Sequence, residues 1–540
     1  MSESWRPLEH RTITGLLDAQ CEKRPDQACL VVRDEPITYA QLRERSLAAA
    51  GALYDLGLRQ GQTVAIFANT HPSWIYTFLG AARIGALAVP INTAYRGSFL
   101  STPLRSSGCR MAFVEDTLLD RMAAVASDVP ELQTVIVHHT GAARPGGLPW
   151  RLEDSSVLTG GGVRVPPVHQ PQWNDPVCVL FTSGTTGPSK GAVIPHQYVA
   201  AAATSMVDSW QLAEGEVLYA PLPLFHISSV ASVVCPIVAG ATGLLDPVFS
   251  VHECWNRVRR YDVKGILLAG VMVNMLWNLP EDPQDAALPL RFISAAPIPR
   301  GLHRRIEERY NLTVLTSYGM TEALPMVLYG LGDEVRDGAT GRPQPNFEVV
   351  VLDGDDEPVE PDEVGEICCR PRSPHVMFDG YFGRSETTVE RWRNLWFHTG
   401  DMGRMDADGH LTFVDRDKDA IRRRGENISS FEVEQTLLRH PAVADAAAVA
   451  VPSELGEDDV KVVASVKPGA TLEIVELMDF CVDHLPYFAV PRYVEIVESL
   501  PMNPTGKVLK TELRDSGITP TTWDREQAGY VVRREAGPMR

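Results

Sequence analysis

The chain has 540 residues, more than a single hydrophobic core organises, so at least two domains are expected. Its 44% hydrophobic and 22% charged residues are those of an ordinary globular protein, which excludes disordered, fibrous and collagen-like classes. A net charge of −19 excludes a general binder of nucleic acid or anionic membrane, and an anionic ligand would need positive charge concentrated locally.

The N-terminus, Met1-Ser-Glu-Ser-Trp-Arg-Pro7, has no apolar run, so no signal peptide is expected. Thr38-Tyr-Ala-Gln41 fits a capping box and opens a helix that Gly57 stops. A strand follows at 63–68, a helix at 71–83, and apolar strands at 86–90, 111–114 and 134–137. Strands without strict alternation, interleaved with helices, indicate a parallel sheet buried on both faces. The Gly- and Pro-rich stretch 141–176 reads as a long surface connection, and 177–181 as a strand running into a Gly/Ser/Thr loop. From Ile227 to Leu245 nineteen positions carry no charge, approaching the length of a membrane span. Pro236, Gly240 and Gly243 instead favour a buried helix, a turn and a core strand.

Near Asp415 the pattern changes to a small α+β unit, with helices at 431–439 and 472–484 and strands near 443–451, 460–466 and 493–497. The expected fold is therefore α/β. A large N-terminal domain of several subdomains (1–416), with mostly parallel buried sheets, is followed by a small mobile α+β C-terminal domain (417–540). Residues 515–540 have little periodicity and read as a loose tail. Nine cysteines form an odd set with no C-x-x-C pair, which points to a reduced cytoplasm.

The strongest chemical signal is Phe181-Thr-Ser-Gly-Thr-Thr-Gly-Pro-Ser-Lys-Gly191. Its glycines allow close backbone approach, its five hydroxyls donate over short distances, and Lys190 adds a point charge, all of which suit a polyphosphate. A flexible Ser/Gly loop is the plainer reading, but this loop leaves a buried strand and ends in a lysine flanked by glycine. A Walker A loop is excluded by spacing, because Ser189 precedes Lys190 and Gly191 follows it.

The loop resembles the phosphate loop of the adenylate-forming superfamily, which contains acyl-CoA synthetases, luciferases and the adenylation domains of peptide synthetases. Four further motifs follow in the order of that family. Ser294-Ala-Ala-Pro297 resembles the segment whose backbone lies along adenine. Tyr318-Gly-Met-Thr-Glu322 resembles the motif in which the aromatic residue stacks on adenine, the threonine contacts the α-phosphate and the glutamate holds Mg²⁺. Thr399-Gly-Asp401 resembles the ribose-binding aspartate site, with Arg416 assisting, and Pro504-Thr-Gly-Lys507 the loop whose lysine drives adenylation.

The resemblance implies an ATP-dependent acid–thiol ligase that uses Mg²⁺ and coenzyme A. A carboxylate first attacks the α-phosphate of ATP, giving acyl-adenylate and pyrophosphate, and a thiolate then displaces AMP. Lys507, Thr321, Glu322 and His226 are the implied catalytic residues, with Glu322 the metal ligand. The nucleotide and coenzyme A would be held by Thr182, Ser183, Gly184, Thr185, Thr186, Gly187, Lys190, Ala295, Ala296, Tyr318, Gly319, Met320, Asp401, Arg416, Arg423, Arg424 and Gly425. The small domain would rotate about Lys418 between the two steps. Nine residues from Arg416 to Arg424 carry a net +3, which marks a local anion site in an acidic chain, or else a solvated linker face. Glu426-Asn427 departs from the basic residue often found in the family.

His226 stands where peptide-synthetase adenylation domains place the aspartate that binds an α-amino group, so an amino acid would lose its counter-ion. The resemblance makes His226 an aromatic gate beside the acyl carboxylate, with a merely packed histidine as the alternative. Four stretches, 227–235, 268–276, 294–297 and 323–327, form the expected acyl pocket, and none contains a charged residue. Ser228, Ser232, Ala269 and Gly270 are small enough to leave room, so the expected acid is apolar and bulky: fatty, aryl or terpenoid. The run 423–429 also resembles a subgroup with carnitine-type ligases, but a cationic acid finds no carboxylate in these stretches. The expected partners are the acid and coenzyme A, with no nucleic acid or membrane span, and a homodimer is compatible with the reading. A free-standing carrier protein is the alternative acceptor, and a non-catalytic nucleotide-binding protein the alternative of another class.

Overall fold

The computed structural model describes residues 11–142, 146–160, 170–182, 189–296, 298, 302–416, 420–424, 426–454, 456–502 and 508–532. Two seven-stranded sheets dominate the first four-fifths of the chain. In one, the strands Arg151–Asp154, Thr134–His138, Met111–Glu115, Thr63–Phe67, Leu87–Pro90 and Pro176–Thr182 run parallel in that spatial order, and Lys190–Pro195 closes the edge antiparallel. In the other, Thr313–Leu315, Phe292–Ala296, Val263–Ala269, Val217–Tyr219, Thr242–Leu245 and Ala28–Val32 are parallel, and Glu35–Thr38 is antiparallel at the edge. The four residues Leu87–Pro90 and all five of Thr63–Phe67 are buried, as strands covered on both faces must be.

The helices Ile13–Lys23, Tyr39–Asp55, Pro72–Arg83, His196–Trp210 and Ile227–Ala239 share one continuous core with side chains of both sheets. The expected capping box is present, with Thr38 and Gln41 satisfying each other's backbone N–H groups. At Gly80 a Cβ would come within 2.8 Å of the Ala49 Cβ, so glycine lets the helices Tyr39–Asp55 and Pro72–Arg83 approach closely. The uncharged run from Ile227 resolves as expected into a helix, a left-handed turn at Gly240 and a fully buried strand. Among the described residues no helix is long and apolar enough to cross a membrane.

A five-stranded antiparallel sheet (Phe347–Leu352, Gly365–Pro371, Trp392–Arg393, Trp396–Met405, Leu411–Arg416) completes the large lobe. The small lobe begins with a hairpin, Ala420–Arg423 and Glu426–Ser429. It continues with the helix Ser430–Leu437 and a sheet of Val443–Pro452, Asp458–Val466, Tyr493–Val497 and Trp523–Asp524. Phe99, from the large lobe's helix Gly97–Ser106, is 1% exposed and packs in the small lobe's core.

Two expectations are corrected. The stretch 141–176 is not only a surface connection: Arg151–Asp154 adds a parallel strand to the first sheet, and Trp150 and Leu158 are buried. Glycines and prolines near a four-residue strand with three charged residues hid it. Residues 515–532 are not loose either. Trp523–Asp524 pairs with Tyr493–Val494, Arg525 donates to the carbonyls of Val490 and Pro491, and the Tyr530 hydroxyl donates to Asp479. Their polar residues answer partners in the small lobe, which a periodicity search does not register.

Candidate active site

The ends of several parallel strands open onto one cleft of about 1790 Å³ between the lobes. Thr182 at one strand end pairs across the hairpin with Lys190, so the expected phosphate loop is the connection of two hydrogen-bonded strands. The loop residues 183–188 themselves lie outside the described residues. Ala269 and Ala296, adjacent in register at the ends of their strands, line the cleft with Ala295 and Gly270. A crevice beyond the carboxyl ends of parallel strands is where an open α/β sheet receives a ligand.

Tyr318, 8% exposed, donates its hydroxyl to Asp401 at 2.7 Å, and its ring lies 5.9 Å from that of Phe413. The two residues expected at adenine and ribose are thus fixed to each other. Asp401 is held from behind: its N–H donates to Thr399 Oγ1, and that hydroxyl donates to the Ile367 carbonyl at 2.6 Å. Gly400 turns at φ +76° and gives its N–H to Glu366. Gly319, Met320, Thr321 and Glu322 all line the cleft.

Glu322 is 3% exposed and accepts a 2.6 Å hydrogen bond from the Tyr381 hydroxyl. Burial pushes its carboxyl up, against that hydrogen bond. Lys190 lies over the Tyr381 ring at 5.3 Å; burial and then the Arg391 charge hold its ammonium below the usual lysine range. A buried carboxylate with hard oxygen donors, facing a cleft lined by Lys190 and Arg391, fits a Mg²⁺–polyphosphate pair.

Sequence reasoning missed Tyr381 and Arg391. Tyr381 is placed by an irregular segment that hydrogen-bonds to the strand Lys190–Pro195, with Phe382 N–H to the Gly191 carbonyl at 2.7 Å and Val193 N–H to the Gly380 carbonyl at 2.9 Å. The basic run Arg391-Trp-Arg393 just before Thr399-Gly-Asp401 was the available signal for Arg391.

The other end of the cleft is apolar. Ile227, Leu267, Leu268, Met272, Met275, Ile298, Leu324 and Pro325 line it, and so does the stretch Pro247–Phe249, which sequence reasoning did not include. His226 caps the helix Ile227–Ala239 at the junction of the two ends. Its ring is 4.7 Å from that of Phe225, and its Nε2 is 3.6 Å from Glu426 of the small lobe. Ser232 is 1% exposed in the helix interior and does not line the cleft, which corrects its place in the pocket; the Ser228 side chain lies outside the described residues.

The basic patch is also corrected. Arg423 is 3% exposed, with its Nε 2.8 Å from Asp459 and its NH1 donating to the carbonyls of Phe488 and Val490. Arg423 therefore braces the small lobe and is not available to an anionic ligand. Arg422 and Arg424 do line the cleft, but with Glu426, Glu457 and Asp458 among them. A count along the chain misses acids that other strands bring alongside. The Arg416 side chain, Lys418, Gly425 and Lys507 lie outside the described residues.

The matches to known proteins fall on these same elements. A family model described as AMP-binding enzyme covers residues 17–382, and one described as AMP-binding enzyme C-terminal domain covers 432–507. The chain belongs to the AMP-binding enzyme family. A crotonobetaine/carnitine–CoA ligase of Salmonella paratyphi B is 30% identical to this AMP-binding enzyme over 508 residues, 93% of this chain and 96% of the relative. Among solved structures, an o-succinylbenzoate CoA synthetase of Bacillus subtilis, bound with its product analogue, aligns with a TM-score of 0.80 at 25% identity, covering 93% of this chain and 98% of that one. An amide bond synthetase of Marinactinospora thermotolerans aligns at 0.79 and 25%, covering 93% and 99%. The enzyme is an AMP-forming acyl-CoA synthetase that uses ATP, Mg²⁺ and coenzyme A, passing through an acyl-adenylate.

Proposed function

We propose that this AMP-binding enzyme activates a bulky, apolar carboxylic acid, with the small lobe (417–540) turning against the large lobe (1–416) about Lys418 between the two half-reactions. The segregated cleft carries this reading. Its nucleotide end is built from Lys190, Tyr318, Glu322 and Asp401, and its acyl end shows no charged side chain among the described residues from Ile227 to Val251, Leu267 to Met275 and Ala295 to Ile298 that line it.

In the first half-reaction an oxygen of the acid attacks the α-phosphorus and pyrophosphate leaves. Tyr318 and Asp401 hold adenine and ribose so that the reacting atoms meet at Thr321. Lys190 and Arg391 offset the charge of the departing pyrophosphate, and Lys507 that developing between the carboxylate and the α-phosphoryl oxygens. Mg²⁺, held through Glu322, would supply Lewis-acid neutralisation of the phosphates. In the second half-reaction the thiolate of coenzyme A attacks the acyl carbon and AMP leaves.

The arrangement seen here suits the second step, because Arg422, Arg424 and Glu426 of the small lobe's hairpin line the cleft and Glu426 approaches His226 at 3.6 Å. Nine free cysteines, eight of them buried, fit the reduced cytoplasm as the place of action. A panel of acids with ATP, Mg²⁺ and coenzyme A tests the substrate class through pyrophosphate release. Fatty, aryl or terpenoid acids should outpace carnitine and α-amino acids by at least about a hundredfold in kcat/KM, since a cation left without a counter-ion in an apolar pocket is strongly disfavoured. Preference for a cationic or amino acid would contradict the reading.

A further inference from the structure

One carboxyl group already sits at the end of the phosphate loop, and it comes from the protein. Ser189, immediately before Lys190, is 1% exposed; its backbone N–H and its hydroxyl both donate to one oxygen of Glu432, at 3.2 and 2.7 Å. Glu432 lies 243 positions along the chain, in the first turn of the small lobe's helix Ser430–Leu437, and is 5% exposed. The cap of that helix uses the Glu432 backbone N–H on Ser429 Oγ, so the carboxylate is not needed for capping. Its second oxygen has no hydrogen-bond partner among the described residues. Burial pushes the carboxyl up to about 7, against the two Ser189 hydrogen bonds; Tyr95 of the large lobe is another titratable group that feels its charge. The two Ser189 donors hold the group in place.

A phosphate oxygen drawn to the Ser189 N–H and hydroxyl would compete with this carboxylate for the same two donors and repel its charge. We propose that Glu432 is a positioning residue for thioester formation: it takes donors at the end of the phosphate loop, so that the small lobe seats in this arrangement only after pyrophosphate has left. The inference rests on the two-arrangement reading above. It makes the emptied loop the signal for the second step, carried by one carboxylate that exchanges places with the leaving group.

The test measures the two half-reactions separately on the full-length enzyme. Glu432→Ala should leave acid-dependent ATP–pyrophosphate exchange within about twofold and slow thioester formation from pre-formed acyl-adenylate about tenfold, the scale of a charge-assisted hydrogen-bond pair. Glu432→Gln, which keeps an acceptor for Ser189, should recover much of that rate. Ser189→Ala, which removes the hydroxyl and keeps the N–H, should slow thioester formation less than Glu432→Ala does. Methylenediphosphonate, an unreactive pyrophosphate analogue, should inhibit the thioester step of Glu432→Ala at several-fold lower concentration than in the unaltered enzyme, because its competitor is gone. Equal loss in both half-reactions, or no change in either the thioester rate or analogue inhibition, would overturn the proposal. Should Glu432→Ala not fold, analogue inhibition of the thioester step decides in Glu432→Gln, whose uncharged side chain should let methylenediphosphonate inhibit at lower concentration than in the unaltered enzyme. An unaltered enzyme that runs neither half-reaction would instead overturn the reading on which the inference rests.

Discussion

Glu322 and Tyr381 stand 59 positions apart, and the 2.6 Å hydrogen bond between them decides how a buried carboxylate presents itself to the cleft. Motif matching finds Glu322, because its neighbours in sequence are its neighbours in the site. It cannot find Tyr381, whose place depends on an irregular segment hydrogen-bonding to the strand after the phosphate loop. The same holds for Glu432, brought to Ser189 across 243 positions. Tyr381→Phe should therefore weaken the metal-dependent step without unfolding the protein. Removing a hydrogen bond to a buried charge should lower kcat/KM for adenylation by about tenfold and raise the Mg²⁺ concentration needed for half-maximal rate. A Mg²⁺ titration of pyrophosphate release reads both, and an unchanged Mg²⁺ requirement would remove Tyr381 from this role.

Among the elements, the hairpin Ala420–Arg423 and Glu426–Ser429 shows what a charge count along the chain conceals. Its arginines look alike in sequence, yet Arg423 is locked to Asp459 and two carbonyls while Arg424, at φ +55°, lines the cleft. The two should part company on substitution. Arg423→Ala, which removes one partner of a buried ion pair and two carbonyl hydrogen bonds, should destabilise the small lobe by about 3 kcal/mol in denaturant unfolding. Arg424→Ala should leave stability within about 0.5 kcal/mol and raise the KM for coenzyme A. The reverse pattern would contradict both assignments. Elements with a strong local cause were legible in the sequence: the capping box at Thr38, the apolar strands of the first sheet, the buried helix and strand after His226. The strand Arg151–Asp154 was not, because three of its four residues are charged and its support is a neighbouring strand.

At the scale of the whole molecule, the C-terminal segment reads as tail in the sequence and as part of the small lobe in the fold. Lys461, fully buried, pairs with Glu495 at 2.7 Å, and Thr519, Thr521 and Thr522 donate to the same carboxylate. Burial opposes ionisation of Glu495, but the hydrogen bonds from Lys461, Thr519 and Thr521 outweigh it and bring the carboxyl down to about 2, against an ordinary value of 4.5. A carboxyl lowered on folding stabilises the fold fully above 4.5 and loses that contribution as pH falls towards 2. Thermal unfolding of the small lobe should accordingly drop through this window, and Glu495→Gln should flatten the drop. An equal pH dependence in both proteins would mean that the segment is not anchored here.

The two lobes enclose one cleft, and in the proposed function each face that the small lobe presents serves a different half-reaction. Lys507→Ala tests that division most directly, with adenylate formation followed by acid-dependent ATP–pyrophosphate exchange and thioester formation followed separately from synthetic acyl-adenylate and coenzyme A. The first should fall by at least about a hundredfold with the second kept within about threefold, the mirror image of Glu432→Ala. Equal loss of both steps would contradict it.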